Sequence, residues 1–479
     1  MVVGEIPVSA DLVVVGAGPG GYAAALRGAQ LGRDVVLIDR DGSDGVGGVC
    51  LNVGCIPSKA LIETANHFEH ATAMAHIGLR LDGAAVDMKT WQEWKGTVVD
   101  RLTGGIRQLL HSSGVSVITG HAQLSRPDQL VVTDPLQPLA LAQYFQFNDL
   151  ILATGSRPAE LPGLARDGVR ILNSTDVLAL AEVPRRVAVI GAGYVGLELG
   201  TALAKLGSDV TIVEYASRVL PTMNAMFARP VARRLRHLGI DVRIDTAAVG
   251  FDNGVLRLTT GDAESHIEVD VVVVAVGRIP NTDQLGLDAA GITVDERGLV
   301  PVGDDRRAAR HIAAIGDIVA GPALAHKATA EAGVAVEALC GHGGAFVPTT
   351  IPAVVFCDPE IASAGITVEE ARDAGVDVDS VMIPMGASGR AATMDSGDGF
   401  VQLVWERDSQ TVVGVHIAGA HASELIAEGV LAIEMAATLE DVAGSIHAHP
   451  TLSEQLGEAA HLALGRPVHV PLRKMTELT

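Results

Sequence analysis

The 479-residue chain carries 35 Lys and Arg against 57 Asp and Glu, a formal net charge of −22, with 48% hydrophobic residues, 54 glycines and 4 cysteines. This length and apolar content suit several compact domains and exclude a disordered or collagenous chain, while the acidity argues against nucleic acid and anionic membrane surfaces as partners. Apolar stretches are short or, as in 187–207, interrupted by Glu198 and Lys205, and MVVGEIPVSAD lacks a basic region followed by an apolar core; neither a membrane span nor a secretory signal is expected, and the cytoplasm is the default location.

Val, Ala and Gly dominate and aromatics make up 3%, which suits buried parallel strands alternating with Ala-rich helices, an α/β fold. Residues 11–15 read as a buried strand, 21–32 as a helix and 34–38 as a second strand ending in Asp39. Between the first two lies a G-x-G-x-x-G turn of Gly16, Gly18 and Gly21. In such a turn the first glycine bends the chain, the second admits a pyrophosphate and the third lets helix and strand pack closely. The pattern recurs as strand 187–190, Gly191, Gly193 and Gly196, helix 196–207 and strand 209–213 ending in Glu214. Asp39 and Glu214 stand at the same distance from their first glycines (16 to 39, 191 to 214), where a carboxylate can bond an adenosine ribose. A lone glycine motif is often a turn without a ligand; a matched pair with strand, helix and acidic residue is far more specific. The charge of Glu214 would repel a 2′-phosphate, so the second unit should prefer NAD, although Arg218 is near enough in sequence to reach such a phosphate.

Strand runs at 150–153 and 271–276 are each followed by Gly and Pro-containing turns, and 134–142 reads as an ordinary loop. From about 351 the character shifts to an α+β module with strands 401–404 and 411–417 and a helical stretch 421–437. That module carries Glu424, Glu428, Glu434, Glu440 and Asp441, and then His447 and His449. Cys50 and Cys55 are separated by four residues beside Gly54, Pro57 and Lys59. Pro57 suits a helix start, and a helix end near Cys55, with Lys59 one turn on, would favour its thiolate. Redox chemistry leads over two buried free thiols or half of a zinc site. Cys340 and Cys357 read as small buried hydrophobes.

GGVCLNVGCIPSK, together with ATGSRP at 153–158, VGRIPNT at 276–282, AAIGD at 313–317, AHKA at 325–328 and HAHPTLSE at 447–454, resembles the flavoprotein disulfide reductases over essentially the whole chain. The resemblance implies an FAD-binding domain at 1–156, an NAD-binding domain at 157–283, a central domain at 284–350 completing the FAD site and a dimerisation domain at 351–479. It implies FAD or NAD contacts from Thr154, Gly155, Gly277, Gly316 and Ala325, with Ala325 and His326 facing the flavin pyrimidine ring. Asp317 would bond the flavin ribitol, Lys59 and Glu198 would pair beside the isoalloxazine, and Tyr194 would cover the nicotinamide pocket. Val49 stands where members commonly have Thr, and Asp39 where many have Glu; neither removes a reacting group.

HAHPTLSE is most similar to the branch that oxidises dihydrolipoyl groups with NAD. His449 suits a general base, with an unperturbed pKa of about 6.5, and Glu454 would fix its tautomer. Taken alone the two histidines would more readily be loop residues or an H-x-H metal pair. The resemblance implies that Cys50 exchanges with substrate, that Cys55 faces the flavin, and that His449 reaches the disulfide of the other subunit of an obligate homodimer. The substrate would be a dihydrolipoyl group on a 2-oxo acid dehydrogenase or glycine cleavage carrier protein. The acidic helix 421–441 is either an attractor for the basic binding domain of a dihydrolipoyl acyltransferase or a solvated face. Competing readings are an NAD(P)H reductase of quinones or another disulfide, and a redox-silent flavin-binding subunit.

Overall fold

The computed structural model describes residues 7–81, 83–134 and 141–472; the loop expected at 134–142 lies largely outside them, at 135–140. β1 (Val8–Val15) runs parallel between β2 (Val35–Asp39) and the strand Gln143–Leu152, and α1 (Pro19–Gln30) crosses from β1 to β2. Leu12, Val13 and Val14 are fully buried, as a strand covered on both faces requires. The helix starts two residues earlier than its apolar pattern suggests because Pro19 occupies its first turn, where a missing N–H costs nothing. On the far side of Gln143–Leu152 the sheet continues with Ile312–Ala314. The first unit is therefore completed by chain from beyond the second.

Two helices follow β2, the short α2 (Gly48–Val53) and the 19-residue α3 (Cys55–Ala73). Helix α3 begins at Cys55, two residues before Pro57. The second sheet is also parallel, with β3 (Arg186–Ile190) between β4 (Asp209–Val213) and Val271–Val274, and α4 (Tyr194–Lys205) as the crossover. Helix α5 (Ala325–Leu339) then packs against α1. The third sheet has five antiparallel strands, in the order Ala353–Val355, Ile361–Gly365, Val412–Ala418, Phe400–Glu406 and Val378–Pro384. Helix α6 (Ala422–Glu434) lies on it so closely that a Cβ at Gly429 would sit 2.8 Å from the Val415 Cβ. Helix α7 (Glu454–Ala463) follows.

A cluster of charges, Lys205 buried and the rest partly so, joins α3, α4 and the segment between the first two strands of the antiparallel sheet. Lys205, at the end of α4, lies 2.6 Å from Asp358 Oδ2 and 3.4 Å from Glu69 Oε2 of α3, and Arg234 bonds the same two carboxylates at 2.8 and 2.6 Å. No helix among the described residues is long and apolar enough to cross a membrane.

Candidate active site

The two glycine turns have the same internal logic. A Cβ at Gly16 would come within 2.4 Å of Ala153 O and one at Gly21 within 1.7 Å of Gly16 O; at Gly191 and Gly196 the corresponding clashes are 2.6 and 1.9 Å. The middle glycines differ. At Gly193 a Cβ would meet nothing within 4 Å, and at Gly18 only the Gly48 Cα at 4.0 Å. The chain's own packing explains the outer glycines and leaves the middle ones bare, a cradle for backbone contact with a pyrophosphate. Neither Gly18 nor Gly193 supplies a side-chain cap, so the N-termini of α1 and α4 present their first N–H groups. The residues present therefore fit a dinucleotide at each turn.

Asp39 Oδ2 accepts from Ala17 N at 2.7 Å, and Glu214 accepts from Ala192 N at 2.6 Å and Ala216 N at 2.7 Å. Both carboxylates are thus oriented by the turns they serve. Arg218 points elsewhere: its guanidinium donates to the carbonyls of Leu220, Pro221 and Met223 at 3.2, 3.0 and 2.8 Å. The alternative of Arg218 receiving a 2′-phosphate loses its free cation.

The cysteine segment packs on the first turn, since a Cβ at Gly48 would lie 2.6 Å from the Gly18 Cα. Cys50 is half-buried in α2, and Cys55, exposed, is the first residue of α3; both are free thiols. The hydrogen bond from Cys50 lowers the Cys55 pKa to about 6 against partial desolvation, with Lys59 assisting. The same bond and burial push the Cys50 thiol up. The α3 N-terminus acts in the same direction on Cys55.

Lys59 Nζ, one turn along α3, donates to Glu198 Oε2 at 2.8 Å and lies 4.5 Å from the Phe356 ring centroid. The other oxygen of Glu198 accepts from Phe356 N at 3.0 Å, so the buried carboxylate is held both from α3 and from the segment after the strand Ala353–Val355. Tyr194, at the start of α4, is half open to solvent, and partial burial raises its phenol pKa amid the charges of Arg278, Asp317, Glu198 and Cys55. Asp317 Oδ2 accepts from Ser156 Oγ at 2.5 Å, and Arg278 Nε donates to that same hydroxyl at 2.7 Å. Thr154 and Gly155 are laced to Asn281: Thr154 Oγ1 donates to Asn281 O at 2.8 Å and Asn281 N to Gly155 O at 2.9 Å. Gly155 and Gly277 have φ of +67° and +128° and face open space, as a ligand-lining backbone would. Gly316 is held from α5, its N–H donating to Glu331 Oε2 at 2.8 Å and its carbonyl accepting from Lys327 Nζ at 3.1 Å. Ala325 opens α5, and the ring of His326 bonds Pro352 O at 2.9 Å.

His449 Nδ1 donates to Glu454 Oε1 at 2.9 Å, and the other carboxylate oxygen accepts from Thr451 N at 2.8 Å. These two bonds, that from Thr451 N first, hold the Glu454 carboxyl below its usual range. The dyad leaves His449 Nε2 free for a proton on a ring 74% exposed. The groups that act most on the cysteines are Lys59, Glu198, Asp317 and each other, and His449 is not among them. Four of the five acidic side chains on and after α6 have partners within the chain: Glu428 with His447, Glu434 with Thr349, Glu440 with Arg466 and Asp441 with Thr438. Sequence reasoning did not find Ser156, Asn281, Glu331 or Phe356. Their motif neighbours flagged the first three, whereas nothing in the residues around Phe356 points to its role.

A pyridine nucleotide-disulphide oxidoreductase family model matches residues 10–332, and the dimerisation-domain model of that family matches 351–460. The chain belongs to the pyridine nucleotide-disulphide oxidoreductases, enzymes that use FAD and NAD(H). It is 45% identical to the dihydrolipoyl dehydrogenase of Geobacillus stearothermophilus, covering 98% of this chain and 99% of that one. Against the dihydrolipoyl dehydrogenase of Bacillus subtilis the identity is 43%, over 98% and 100%. Among solved structures, LpdA from Mycobacterium tuberculosis is similar with a TM-score of 0.87 and 27% identity, over 94% and 99% of the two chains.

Proposed function

We propose that this chain is a dihydrolipoyl dehydrogenase, oxidising protein-bound dihydrolipoyl groups to lipoyl with reduction of NAD. The observation that carries the reading is the placement of Cys50 in α2 and Cys55 at the first residue of α3, packed on one bare glycine turn while the neighbouring Lys59–Glu198 pair reaches the helix of the other. The match to relatives of this activity over nearly the whole chain supports it. FAD at Gly16–Gly21, with Asp39, Thr154, Gly155, Gly316, Asp317 and Ala325, would supply a two-electron carrier between disulfide and nicotinamide. NAD would lie at Gly191–Gly196 with Glu214, Tyr194 and Gly277. The chain would divide into 1–156, 157–283, 284–350 and 351–479, and the parallel pairing of Ile312–Ala314 with Leu150–Leu152 supports the third segment completing the first.

In the oxidised enzyme Cys50 and Cys55 share a disulfide. His449 Nε2 takes a proton from one substrate thiol, and the resulting thiolate attacks the Cys50 sulfur. The Cys50–Cys55 bond breaks and Cys55 leaves as the thiolate, the better leaving group because its pKa is the lower. The second substrate thiol then attacks its own partner sulfur, Cys50 leaves with the proton held by His449, His449 Nε2 takes the proton of that second thiol, and lipoyl departs. Glu454 stabilises the imidazolium between these steps. The dimerisation-domain match supports a homodimer, in which His449 would act on the disulfide of the other subunit. Docking of a basic acyltransferase domain would rest on the net charge of −22 rather than on the carboxylates of α6, which are largely engaged.

Dihydrolipoamide with NAD is expected to turn over, and NADP to fail. His449→Gln should lose about 10²–10⁴-fold in dithiol turnover, and Cys50→Ser essentially all of it, while NADH-driven dye reduction survives in both. Rapid turnover of a quinone or glutathione disulfide with NADH, without dihydrolipoamide turnover, would overturn the reading.

A further inference from the structure

The loop between residue 444 and α7 carries His449, yet Ile446 within it is fully exposed and the His449 ring is mostly so. A base must be held to a fraction of an ångström to work, and the Glu454 bond secures the ring only on the side that follows it in sequence. The side that precedes it is secured by a second imidazole. His447 Nε2 donates to Glu428 Oε1 of α6 at 2.7 Å, with the His447 side chain only 12% exposed. The opposite edge of that ring lies on α7, where a Cβ at Gly457 would come within 2.9 Å of His447 Nδ1 and 3.0 Å of Cε1. His447 is therefore wedged between α6 and α7, the helix whose first residue is Glu454.

We propose that His447 and Glu428 are a positioning pair that sets the place of His449, with Gly457 as the bare spot on α7 that admits the wedge. Neither side chain need touch the substrate. The proposal rests on His449 as the base. It assigns His447 and Glu428 to one mechanical unit, so that removing either loosens the loop and removing both adds little.

The test uses the full-length flavin-loaded enzyme, with dihydrolipoamide and NAD for the dithiol reaction and NADH with a dye for the other half. His447→Ala and Glu428→Ala should each lower dithiol kcat by about 10–100-fold, the scale of an ångström-sized misplacement, with KM changed by less than about twofold. The double variant should be no worse than about twofold below the poorer single one. His447→Gln, which keeps a donor near the position of Nε2, should recover most of the loss. Gly457→Ala, a change that favours helix, should reproduce the defect by displacing the ring. Dye reduction should stay within about twofold throughout.

Unchanged dithiol kcat in Glu428→Ala and Gly457→Ala, fully additive single losses, or an equal fall in dye reduction would each reject the pair. If His447→Ala does not fold, Glu428→Ala and Gly457→Ala decide the matter. His449→Gln separates the two claims: its inactivity beside a fully active His447→Ala rejects only the positioning pair, whereas dithiol turnover retained in His449→Gln rejects the base itself.

Discussion

Cys55 owes its acidity to three sources of similar sign: the thiol of Cys50, the ammonium of Lys59 and the unpaired N–H groups at the start of α3. With the pKa lowered to about 6, the reduced enzyme holds Cys55 as thiol below that pH and as thiolate above it. Thiolate absorbance near 240 nm in reduced Cys340→Ala protein should therefore rise through about pH 6. In Cys50→Ala the rise should move to higher pH, because the largest lowering contribution is gone; an unmoved transition would show that Lys59 and the helix suffice. Arg218 illustrates another residue-scale decision. Its position after Glu214 permits an NADP contact, and only the direction of its side chain, spent on three carbonyls, removes it.

At the scale of elements, α3 is the member on which the site hangs. Its first residue is Cys55, Lys59 stands one turn on, and four turns from its start Glu69 enters the cluster with Lys205, Arg234 and Asp358. Burial acts to raise the Asp358 pKa, but Lys205 and Arg234 outweigh it and the net shift is downward. Breaking such a cluster leaves Lys205 and Arg234 to share Glu69 alone, one positive charge in excess, so Asp358→Asn should cost about 3–5 kcal/mol in urea unfolding near neutral pH. A carboxyl whose folded pKa is depressed contributes stability above its unfolded pKa and loses it as pH falls through the folded one. The gap between wild type and Asp358→Asn should accordingly narrow below about pH 4. A gap independent of pH would mean that the aspartate contributes by shape alone.

For the whole molecule the decisive question is which chain's base serves which disulfide. Cys50→Ser and His449→Gln homodimers should each be inactive toward dihydrolipoamide. Mixed, partly unfolded and reassembled, they should form heterodimers with one complete site, combining the intact thiols of one subunit with the intact dyad of the other, and turnover should return. A base acting within its own chain would give no recovery, because each subunit of the heterodimer would then lack one essential group.

Much of the site was legible in the residues because its parts are local. Each glycine turn and its carboxylate span one βαβ unit, the thiol pair spans six residues, and His449 stands five residues before Glu454. Boundaries were read less well. The first strand runs back to Val8 because it pairs with Phe145 and Phe147, partners that no local pattern announces. The first helix begins at Pro19 and α3 at Cys55, shifts of a few residues that place the thiol itself at the helix end. Pairing of Lys59 with Glu198 came from family likeness rather than from any periodicity, and the structure places them 2.8 Å apart. By itself, then, the sequence determined two dinucleotide units, a closely spaced cysteine pair and an imidazole–carboxylate dyad, since each is encoded within a few turns of chain. Only the tertiary structure decided what the distant segments do to one another: Arg218 turned away, the acidic residues of α6 engaged, and His447 wedged against Gly457. Side-chain direction and close approach depend on packing between elements far apart in the chain, and a linear pattern carries no record of that.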